Sequence, residues 1–454
     1  MSRNIVLIGA GSIQFGCEAL GDIFQSTILH GSHIVLHDIN EKALASTHAK
    51  AEQFIQKHDL NFTVSSTLNR REALTQADFV ISSIEVGDRF ALWDMDWSIP
   101  QQYGIRQVYG ENGGPGGLFH SLRIIPPILD ICSDVMDICP DAWVFNFSNP
   151  MSRICTTVYR KFPAIKFIGL CHEIASLKRH LPEILGVDYD KLKVRAAGLN
   201  HFSVMLEAVY KETGKDAYPD VRANSEKYFR SCPGYSDLYQ NFKNTGEVVQ
   251  TESSSPYDYP DDMVASRPWS DHTLFKEVLD KFDYFPITTD SHFGEYIQWA
   301  HQVSDHRGIK DFYDFYRAAL GKGPCEIELI EKERVVSIIE GILTNSGYEE
   351  AAVNVPNTGQ LIRNLPEWMC VEVPALVNSE GLQGIAVDMP PGIGGLLTNQ
   401  IAVHDLTAQA VLEQSRELVI QALLVDPVVD QCSRIPEMVD AFIERQSPWL
   451  DYLK

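Results

Sequence analysis

Short apolar segments alternate with longer amphipathic segments along the first 170 residues of the chain. The apolar segments cover residues 5–8, 33–37, 77–84, 143–147 and 165–170, and they are rich in β-branched and aromatic side chains. Runs of this length without polar alternation are typical of parallel strands buried on both faces. Residues 16–24 and 118–139 have helical character, and Pro126-Pro127 predicts a kink in the second helix. The alternation predicts an α/β fold class with a doubly wound parallel sheet over residues 1–195.

The second half has a different pattern. Residues 194–198 and 203–210 predict strands on either side of Asn200-His201, and residues 353–359 and 371–377 predict an antiparallel sheet. Residues 211–262 are polar and rich in Ser, Tyr, Pro and Asp, which is typical of a surface excursion or a mobile lid. Helices are predicted over residues 403–424 and 435–453. We therefore expect an α+β domain over residues 196–454, with the functional site between the two domains.

Composition and charge restrict the partners. The chain has 454 residues, of which 44% are hydrophobic, and this is enough for a large core. Its net charge of -23 argues against nucleic acid and anionic membranes, because either would be repelled. The nine cysteines are scattered and show no C-x-x-C spacing, and we find neither a signal peptide nor a segment of bilayer length. These features predict a cytoplasmic protein.

A glycine-rich turn follows the first predicted strand. The run Gly9-Ala-Gly11-Ser12-Ile-Gln-Phe15-Gly16 leads into a helix, and the second strand ends in Asp38. Glycines in such a turn let backbone amides approach a pyrophosphate at a helix N-terminus. Gln14 stands where the third glycine is usual, and Gly16 follows two residues later. Asp38 would bond ribose hydroxyls and repel a 2′-phosphate, so the unit favours NAD over NADP. The sequence predicts a Rossmann-like domain whose cofactor contacts include Gly9, Gly11, Ser12, Phe15 and Asp38.

Polar residues stand at the carboxyl ends of the predicted parallel strands. Asp38, Glu85, Asn149 and Cys171 each follow one of these strands. Because ligands of open parallel sheets bind beyond the carboxyl ends of the strands, we expect these side chains on one edge, with Glu85 beside the cofactor. Residues 110–117 form a glycine-rich segment that is either a flexible surface turn or a loop carrying Glu111 into the site.

Cys171 and His201 are candidate metal ligands. Each stands at the end of an apolar segment, and together they supply a thiolate and an imidazole. Two protein ligands leave room for substrate oxygens or water on a bound cation, which is what a catalytic metal needs. The alternative is an inert buried cysteine and a core histidine with satisfied hydrogen bonds.

Several motifs in this order resemble glycoside hydrolase family 4. They are Gly9-Ala-Gly-Ser-Ile-Gln-Phe15, Asn149-Pro150, Cys171-His172-Glu173, Asn200-His201, Val353-Asn-Val-Pro356 and Val371-Glu-Val-Pro-Ala-Leu376. The resemblance covers essentially the whole chain. It implies a lactate-dehydrogenase-like fold, with a Rossmann-like domain followed by an α+β domain, and dependence on NAD and a divalent metal, typically Mn²⁺. The family is an exception to the paired-carboxylate glycosidases.

The resemblance also implies roles for single residues. Cys171 and His201 would bind the metal, Asn149 would contact the sugar, and His172 would protonate the leaving group. NAD⁺ would take hydride from carbon 3 of the sugar and return it in each turnover, after loss of the carbon-2 proton and elimination at carbon 1. Glu111 matches a carboxylate that raises the basicity of the base.

The base itself has more than one candidate. Members of the family specific for 6-phosphates use a tyrosine, and Tyr257 or Tyr259 lies in that region. The Phe285-Pro286 segment better resembles the nonphosphorylated branch, in which an aspartate serves, and this matches Asp290.

The segment Cys171-His172-Glu173-Ile174 resembles the α-galacturonidase subgroup, which implies α-linked galacturonic acid in short oligomers as the substrate. A uronate needs a cation, for which Arg89, Arg106 and His292 are candidates. Glu173 beside a uronate would be repulsive unless it faces a hydroxyl. The alternatives within the family are α-glucosidase, α-galactosidase and α-glucuronidase.

Two alternative functions do not involve glycoside hydrolysis. An NAD-dependent 2-hydroxy acid dehydrogenase would accumulate NADH and need no metal, and a nonenzymatic sugar-responsive NAD-binding protein would show no turnover. We expect a small sugar-acid substrate as the partner, no nucleic acid, no membrane, and a homodimer or homotetramer.

Overall fold

The apolar segments of the first half form the predicted parallel strands. The computed structural model describes residues 2–12, 15–246, 263–319, 326–330 and 332–454. Its strands are β1 (Asn4–Ile8), β2 (His33–His37), β3 (Thr63–Thr67), β4 (Phe79–Ser82), β5 (Trp143–Asn146), β6 (Lys166–Gly169), β7 (Leu192–Leu199), β8 (Phe202–Tyr210), β9 (Phe285–Pro286), β10 (Tyr348–Pro356), β11 (Cys370–Asn378) and β12 (Gly381–Gly384).

Helices cover both faces of the sheet. They are α1 (Phe15–Gln25), α2 (Glu41–His58), α3 (Arg70–Ala73), α4 (Arg89–Gln102), α5 (Gly114–Ile138), α6 (Met151–Lys161), α7 (Ala175–Leu185), α8 (Tyr218–Ser231), α9 (Tyr235–Thr245), α10 (Thr273–Phe282), α11 (Asp290–Phe293), α12 (Ala300–Val303), α13 (His306–Ala319), α14 (Val335–Thr344), α15 (Pro391–Thr398), α16 (Ile401–Glu413), α17 (Arg416–Val425) and α18 (Ile435–Arg445). None of the helices in the described part of the chain is long and apolar enough to cross a membrane.

The first six strands have the order β3-β2-β1-β4-β5-β6 and are all parallel. The strand order reverses between β1 and β4, which places a crevice at their carboxyl ends. Alternate residues of β1 belong to two hydrophobic cores on opposite faces of the sheet: Ile5 and Leu7 pack into one, and Val6 and Ile8 into the other. The α/β class and the Rossmann-like parallel sheet are thus confirmed.

The sheet continues without a break into the second half. Antiparallel β10 joins β6 through the pair Asn354 and Gly169, and β11, β7, β8 and β9 follow. The described strands therefore form one twelve-stranded sheet across both predicted domains. The predicted boundary between residues 195 and 196 falls within β7, and the division into domains stays a prediction.

Some helix predictions need correction. The glycine-rich segment is not a loop throughout, because α5 begins at Gly114. A Cβ at Gly117 would collide with the backbone of Asn112, so this helix packs against its own preceding turn. The helix predicted over residues 403–424 is two helices, since Gln414 has a φ of 58° and the Ser415 side chain caps α17. Within the polar excursion, α8 and α9 are ordered helices.

Candidate active site

The turn after β1 has the geometry of a nucleotide-binding turn. Gly9 has a φ of 87°, and a Cβ there would collide with the carbonyl oxygen of Ser83 on the neighbouring strand connection. Gly16, in the first turn of α1, lies so close to the Ala10 carbonyl that a Cβ would not fit. The displaced glycine therefore allows the close approach of helix and turn that the usual third glycine provides.

Asp38 is held at the carboxyl end of β2. Its carboxylate accepts hydrogen bonds from the backbone N–H groups of Gly11 and Asn40, each at 2.8 Å. The Ser12 hydroxyl accepts from the Phe15 N–H at 3.3 Å and caps the start of α1. The predicted cofactor residues Gly9, Gly11, Ser12, Phe15 and Asp38 thus lie around one turn, whose shape fits a dinucleotide.

Cys171 and His201 come together as the sequence predicts. Their Sγ and Nε2 atoms are 3.1 Å apart, and both side chains are buried. Cys171 follows β6, and His201 lies in the tight turn between β7 and β8 with a φ of 62°. The second imidazole nitrogen, Nδ1, has no hydrogen-bond partner. Among the described residues no third His, Cys, Asp or Glu completes a metal-binding group, so a cation here would take its other ligands from substrate or water.

The surroundings of Cys171 and His201 shift the pKa of each side chain. Burial, and then the nearby carboxylates of Glu173 and Glu372, raise the pKa of the Cys171 thiol well above its usual range. Burial and the neighbouring histidines His292 and His172 lower the pKa of His201, which keeps its imidazole neutral. A neutral imidazole is the form that binds a metal, whereas the thiol needs a cation to give up its proton.

The half-buried Arg334 and the buried Glu372 lie behind this pair and fix its position. The Arg334 guanidinium donates to the Cys171 carbonyl at 3.1 Å and to Glu350 at 2.5 Å. The Glu372 carboxylate accepts from the Asn200 amide at 3.3 Å, next to His201 in sequence. Cys171 and His201 are thus positioned by strands of the second half.

A second cluster surrounds His292. Its Nδ1 lies 3.6 Å from Glu111 and 3.8 Å from Glu295, and its Nε2 lies 3.9 Å from Glu173. Burial lowers the pKa of His292, but Glu295, Glu111 and Glu173 outweigh this effect and raise it to about 9. The ring centroids of His292 and His201 are 4.6 Å apart. The two clusters therefore form one site.

Glu111 and Glu85 both pair with Arg89 at the edge of this site, and Glu85 also pairs with His120. Arg89 donates to Glu111 at 3.1 Å and to the hydroxyl of Tyr316 at 3.0 Å. Glu85 lies 3.5 Å from His120 and 3.8 Å from Arg89. Burial raises the pKa of Glu85, but His120 and then Arg89 outweigh it and lower this pKa to about 2. A pocket lined by these charged groups lies between α4 and α5.

His172, Glu173 and Asn149 lie at the carboxyl ends of β5 and β6. The His172 side chain is 45% exposed, and its Nε2 lies 3.8 Å from Glu173 Oε1. The Oε2 atom of Glu173 and the Oδ1 atom of Asn149 are buried and have no hydrogen-bond partner. Each of these two oxygens can therefore accept a hydrogen bond from a ligand.

The carboxylate of Asp290 is engaged by groups at and near the start of a neighbouring helix. Its carboxylate accepts four hydrogen bonds of 2.8 to 3.0 Å, from the Thr273 hydroxyl and the N–H groups of Leu274, Phe275 and Asp305. It therefore holds the start of α10, and the geometry argues against the prediction that Asp290 is the base. The alternatives Tyr257 and Tyr259 lie outside the described residues. Arg106 pairs with Asp430 on the surface, away from the cluster.

The sequence did not predict Glu295, Asn112 or Arg334 as parts of the site. Glu295 and Arg334 act through contacts with residues more than 160 positions away. The one available signal for Asn112 was its place beside Glu111 in the glycine-rich segment.

Comparison with known proteins agrees with this architecture. Residues 4–187 match the model described as "Family 4 glycosyl hydrolase", and residues 196–429 match the model for the C-terminal domain of the same family. The chain belongs to family 4 of the glycosyl hydrolases, and it is an enzyme of that family. The resemblance seen in the sequence motifs is confirmed.

Individual relatives differ in substrate. The chain is 66% identical to an α-glucosidase of Erwinia rhapontici, with both chains covered completely. It is 27% identical to an α-galacturonidase of Lachnoclostridium phytofermentans, over 97% of this chain and 94% of that one. A solved structure of a 6-phospho-α-glucosidase from gut microorganisms, in complex with NAD and Mn²⁺, has a TM-score of 0.79 at 20% identity and full coverage of both chains.

Proposed function

We propose that this protein is an NAD- and divalent-metal-dependent α-glucosidase that cleaves neutral α-glucosides. The observation that carries the proposal is the buried, unpartnered Oε2 of Glu173, whose Oε1 lies 3.9 Å from His292 Nε2 in the cluster that contains Cys171 and His201. The high identity to an α-glucosidase supports the same substrate.

The charge of the site favours hydroxyl groups over anions. A buried acceptor without a partner costs about 1–3 kcal/mol, and a hydroxyl group of a sugar can donate to it. A uronate or phosphate oxygen cannot donate, and it would be repelled by Glu173, Glu111 and Glu295. Of the three cations considered for a uronate, Arg89 is engaged by Glu111 and Arg106 by Asp430. The third, His292, is surrounded by Glu111, Glu173 and Glu295, whose charges offset its own. These pairings weigh against α-galacturonidase, which we keep as an outcome of the test.

The residues fit the cofactors that this chemistry needs. The turn at Gly9 and the carboxylate of Asp38 would hold NAD, and Cys171 and His201 would hold the cation, for which we propose Mn²⁺. When bound, NAD⁺ accepts hydride from carbon 3 of the sugar, and the cation polarises the resulting carbonyl. Asn149 would orient the sugar through its free amide oxygen.

The proton donor and the base are distinct groups. We propose His172 as the donor to the leaving group, because it is the exposed histidine at the mouth of the site. Glu111 would act on the base through its negative charge. Since the carboxylate of Asp290 is occupied by four donors, we favour Tyr257 or Tyr259 as the base, with Asp290 as the competing assignment.

A substrate panel tests the proposal. The purified protein with NAD⁺ and Mn²⁺ is assayed on 4-nitrophenyl α-glucoside, α-galactoside, α-galacturonide and α-glucoside 6-phosphate. We expect the highest kcat/KM on the neutral α-glucoside, no activity after chelation, and no net NADH. A higher kcat/KM on the galacturonide would overturn the substrate assignment, and NADH accumulating with product would indicate a dehydrogenase.

A further inference from the structure

Asn112 is a buried amide that the fold itself does not satisfy. It lies next to Glu111 in the turn before α5 and is 1% exposed. Its Nδ2 atom lies 3.3 Å from His292 Nδ1, and Oδ1 has no hydrogen-bond partner. If the amide is turned so that its oxygen accepts from a protonated His292, the N–H₂ group takes the unpartnered position instead, so the fold satisfies at most one end of the amide. Leaving such a group unpaired costs about 1–3 kcal/mol, so the geometry calls for a ligand at this position.

The position of Asn112 is set by Glu295. The Glu295 carboxylate accepts the backbone N–H of Asn112 at 3.0 and 3.1 Å, and it also accepts the N–H of Glu111. A Cβ at Gly113 would lie 2.7 Å from the Cβ of Glu295, so glycine is what lets the two segments approach. The Glu295 side chain is fully buried. The amide is therefore held rigidly against His292.

We infer that Asn112 binds a hydroxyl group of the sugar and that Glu295 is its positioning residue. A hydroxyl both donates and accepts, so it can pair with either atom of the amide. Glu111, Glu173 and Glu295 surround His292 and offset its charge, which disfavours an anionic group beside Asn112. This inference rests on the proposed function and assigns it a further substrate contact.

The test uses inhibition constants, which do not depend on the chemistry of the sugar carbons. Glucose and its 2-, 3-, 4- and 6-deoxy analogues are measured as competitive inhibitors of the holoenzyme and of Asn112→Ala. We expect the variant to bind glucose about tenfold more weakly, the loss of one neutral hydrogen bond. One deoxy analogue should bind wild type and variant equally, because it lacks the hydroxyl that Asn112 contacts.

A second variant tests whether Glu295 holds Asn112 in position. Glu295→Gln keeps one side-chain oxygen for the two backbone N–H groups but loses the negative charge and the second acceptor of the Asn112 N–H, so we expect weaker glucose binding with the same deoxy analogue least affected. Asn345→Ala, a remote substitution at the end of α14, should leave all ratios unchanged. If Asn112→Ala does not fold, Asn112→Ser removes the same amide.

The failure of the inference about Asn112 can be distinguished from the failure of the proposed function. If Asn112→Ala weakens glucose and all four analogues by the same factor, or weakens none, Asn112 does not bind a hydroxyl, while the α-glucosidase proposal stands. If the wild-type holoenzyme cleaves no α-glucoside and glucose does not inhibit it, the proposed function itself is wrong.

Discussion

Replacing Arg334 should weaken both the fold and the metal site. This side chain lies just before α14 and is 14% exposed. It donates to Glu350 at 2.5 Å, to the Ala352 carbonyl at 2.8 Å and to the Cys171 carbonyl at 3.1 Å. It therefore ties β10 of the second half to Cys171, the proposed metal ligand, at the end of β6.

The magnitude follows from what Arg334→Met leaves behind. Glu350 would keep one hydrogen bond, from the Tyr348 hydroxyl at 2.9 Å, and lose its countercharge. Removing one partner of a buried ion pair costs about 3–5 kcal/mol. Losing a group that orients a metal ligand costs about 10- to 100-fold in metal affinity. We expect about 3 kcal/mol of destabilisation, because the pair is not completely buried, and Mn²⁺ binding at least ~10-fold weaker.

The assay is urea unfolding together with calorimetric titration of Mn²⁺. Arg195→Met is a matched control, since Arg195 pairs with Glu349, next to Glu350 on the same strand, but at a more exposed position. We expect this control to lose about 1 kcal/mol or less and to keep its Mn²⁺ affinity. If Arg334→Met binds Mn²⁺ as tightly as wild type, the guanidinium does not hold Cys171 in place, and the reasoning is refuted.

Three further predictions follow from single side chains. Cys171→Ser and His201→Ala should each lower Mn²⁺-dependent kcat at least ~100-fold, while fluorescence titration shows NAD⁺ affinity nearly unchanged; activity that survives a chelator would contradict the ligand assignment. Asp290→Asn should lower the melting temperature because it breaks the cap of α10, and kcat should fall less than ~100-fold; a larger loss of kcat in a stable variant would restore Asp290 as the base. Burial raises the pKa of Asp271 to about 8, so its stabilising proton is lost as the pH rises through 8. The melting temperature should therefore fall more steeply from pH 6 to 9 in wild type than in Asp271→Asn, and parallel curves would contradict this.

The nucleotide-binding edge could be predicted because its signals are local. Strand periodicity, the turn at Gly9 and the acid at Asp38 lie within 40 residues of one another, and parallel strands bring their carboxyl ends to one edge. For the same reason, Cys171 was expected at that edge, and it lies there. His201 was predicted from its place at the end of an apolar segment, between two predicted strands.

The remaining parts of the site depend on tertiary contacts. Asp290 was chosen as the base through the resemblance to the nonphosphorylated branch, but its carboxylate accepts the N–H groups of Leu274 and Phe275 at the start of α10. Glu295 and Arg334 reach the site only because the second half adds strands to the sheet beside β6. Neither the hydrophobic periodicity of the sequence nor the spacing of its residues shows which carboxylate will accept a hydrogen bond from which backbone N–H group.

Hydrolysis in D₂O tests the central claim, an oxidation and elimination at the sugar, most directly. If hydride leaves carbon 3, the carbon-2 proton becomes acidic and must be removed before the glycosidic bond breaks, whereas paired-carboxylate glycosidases never remove it. We predict that glucose released from an α-glucoside by the NAD⁺ and Mn²⁺ holoenzyme carries deuterium at carbon 2, measured by NMR. Glucose without deuterium at carbon 2 would contradict the account.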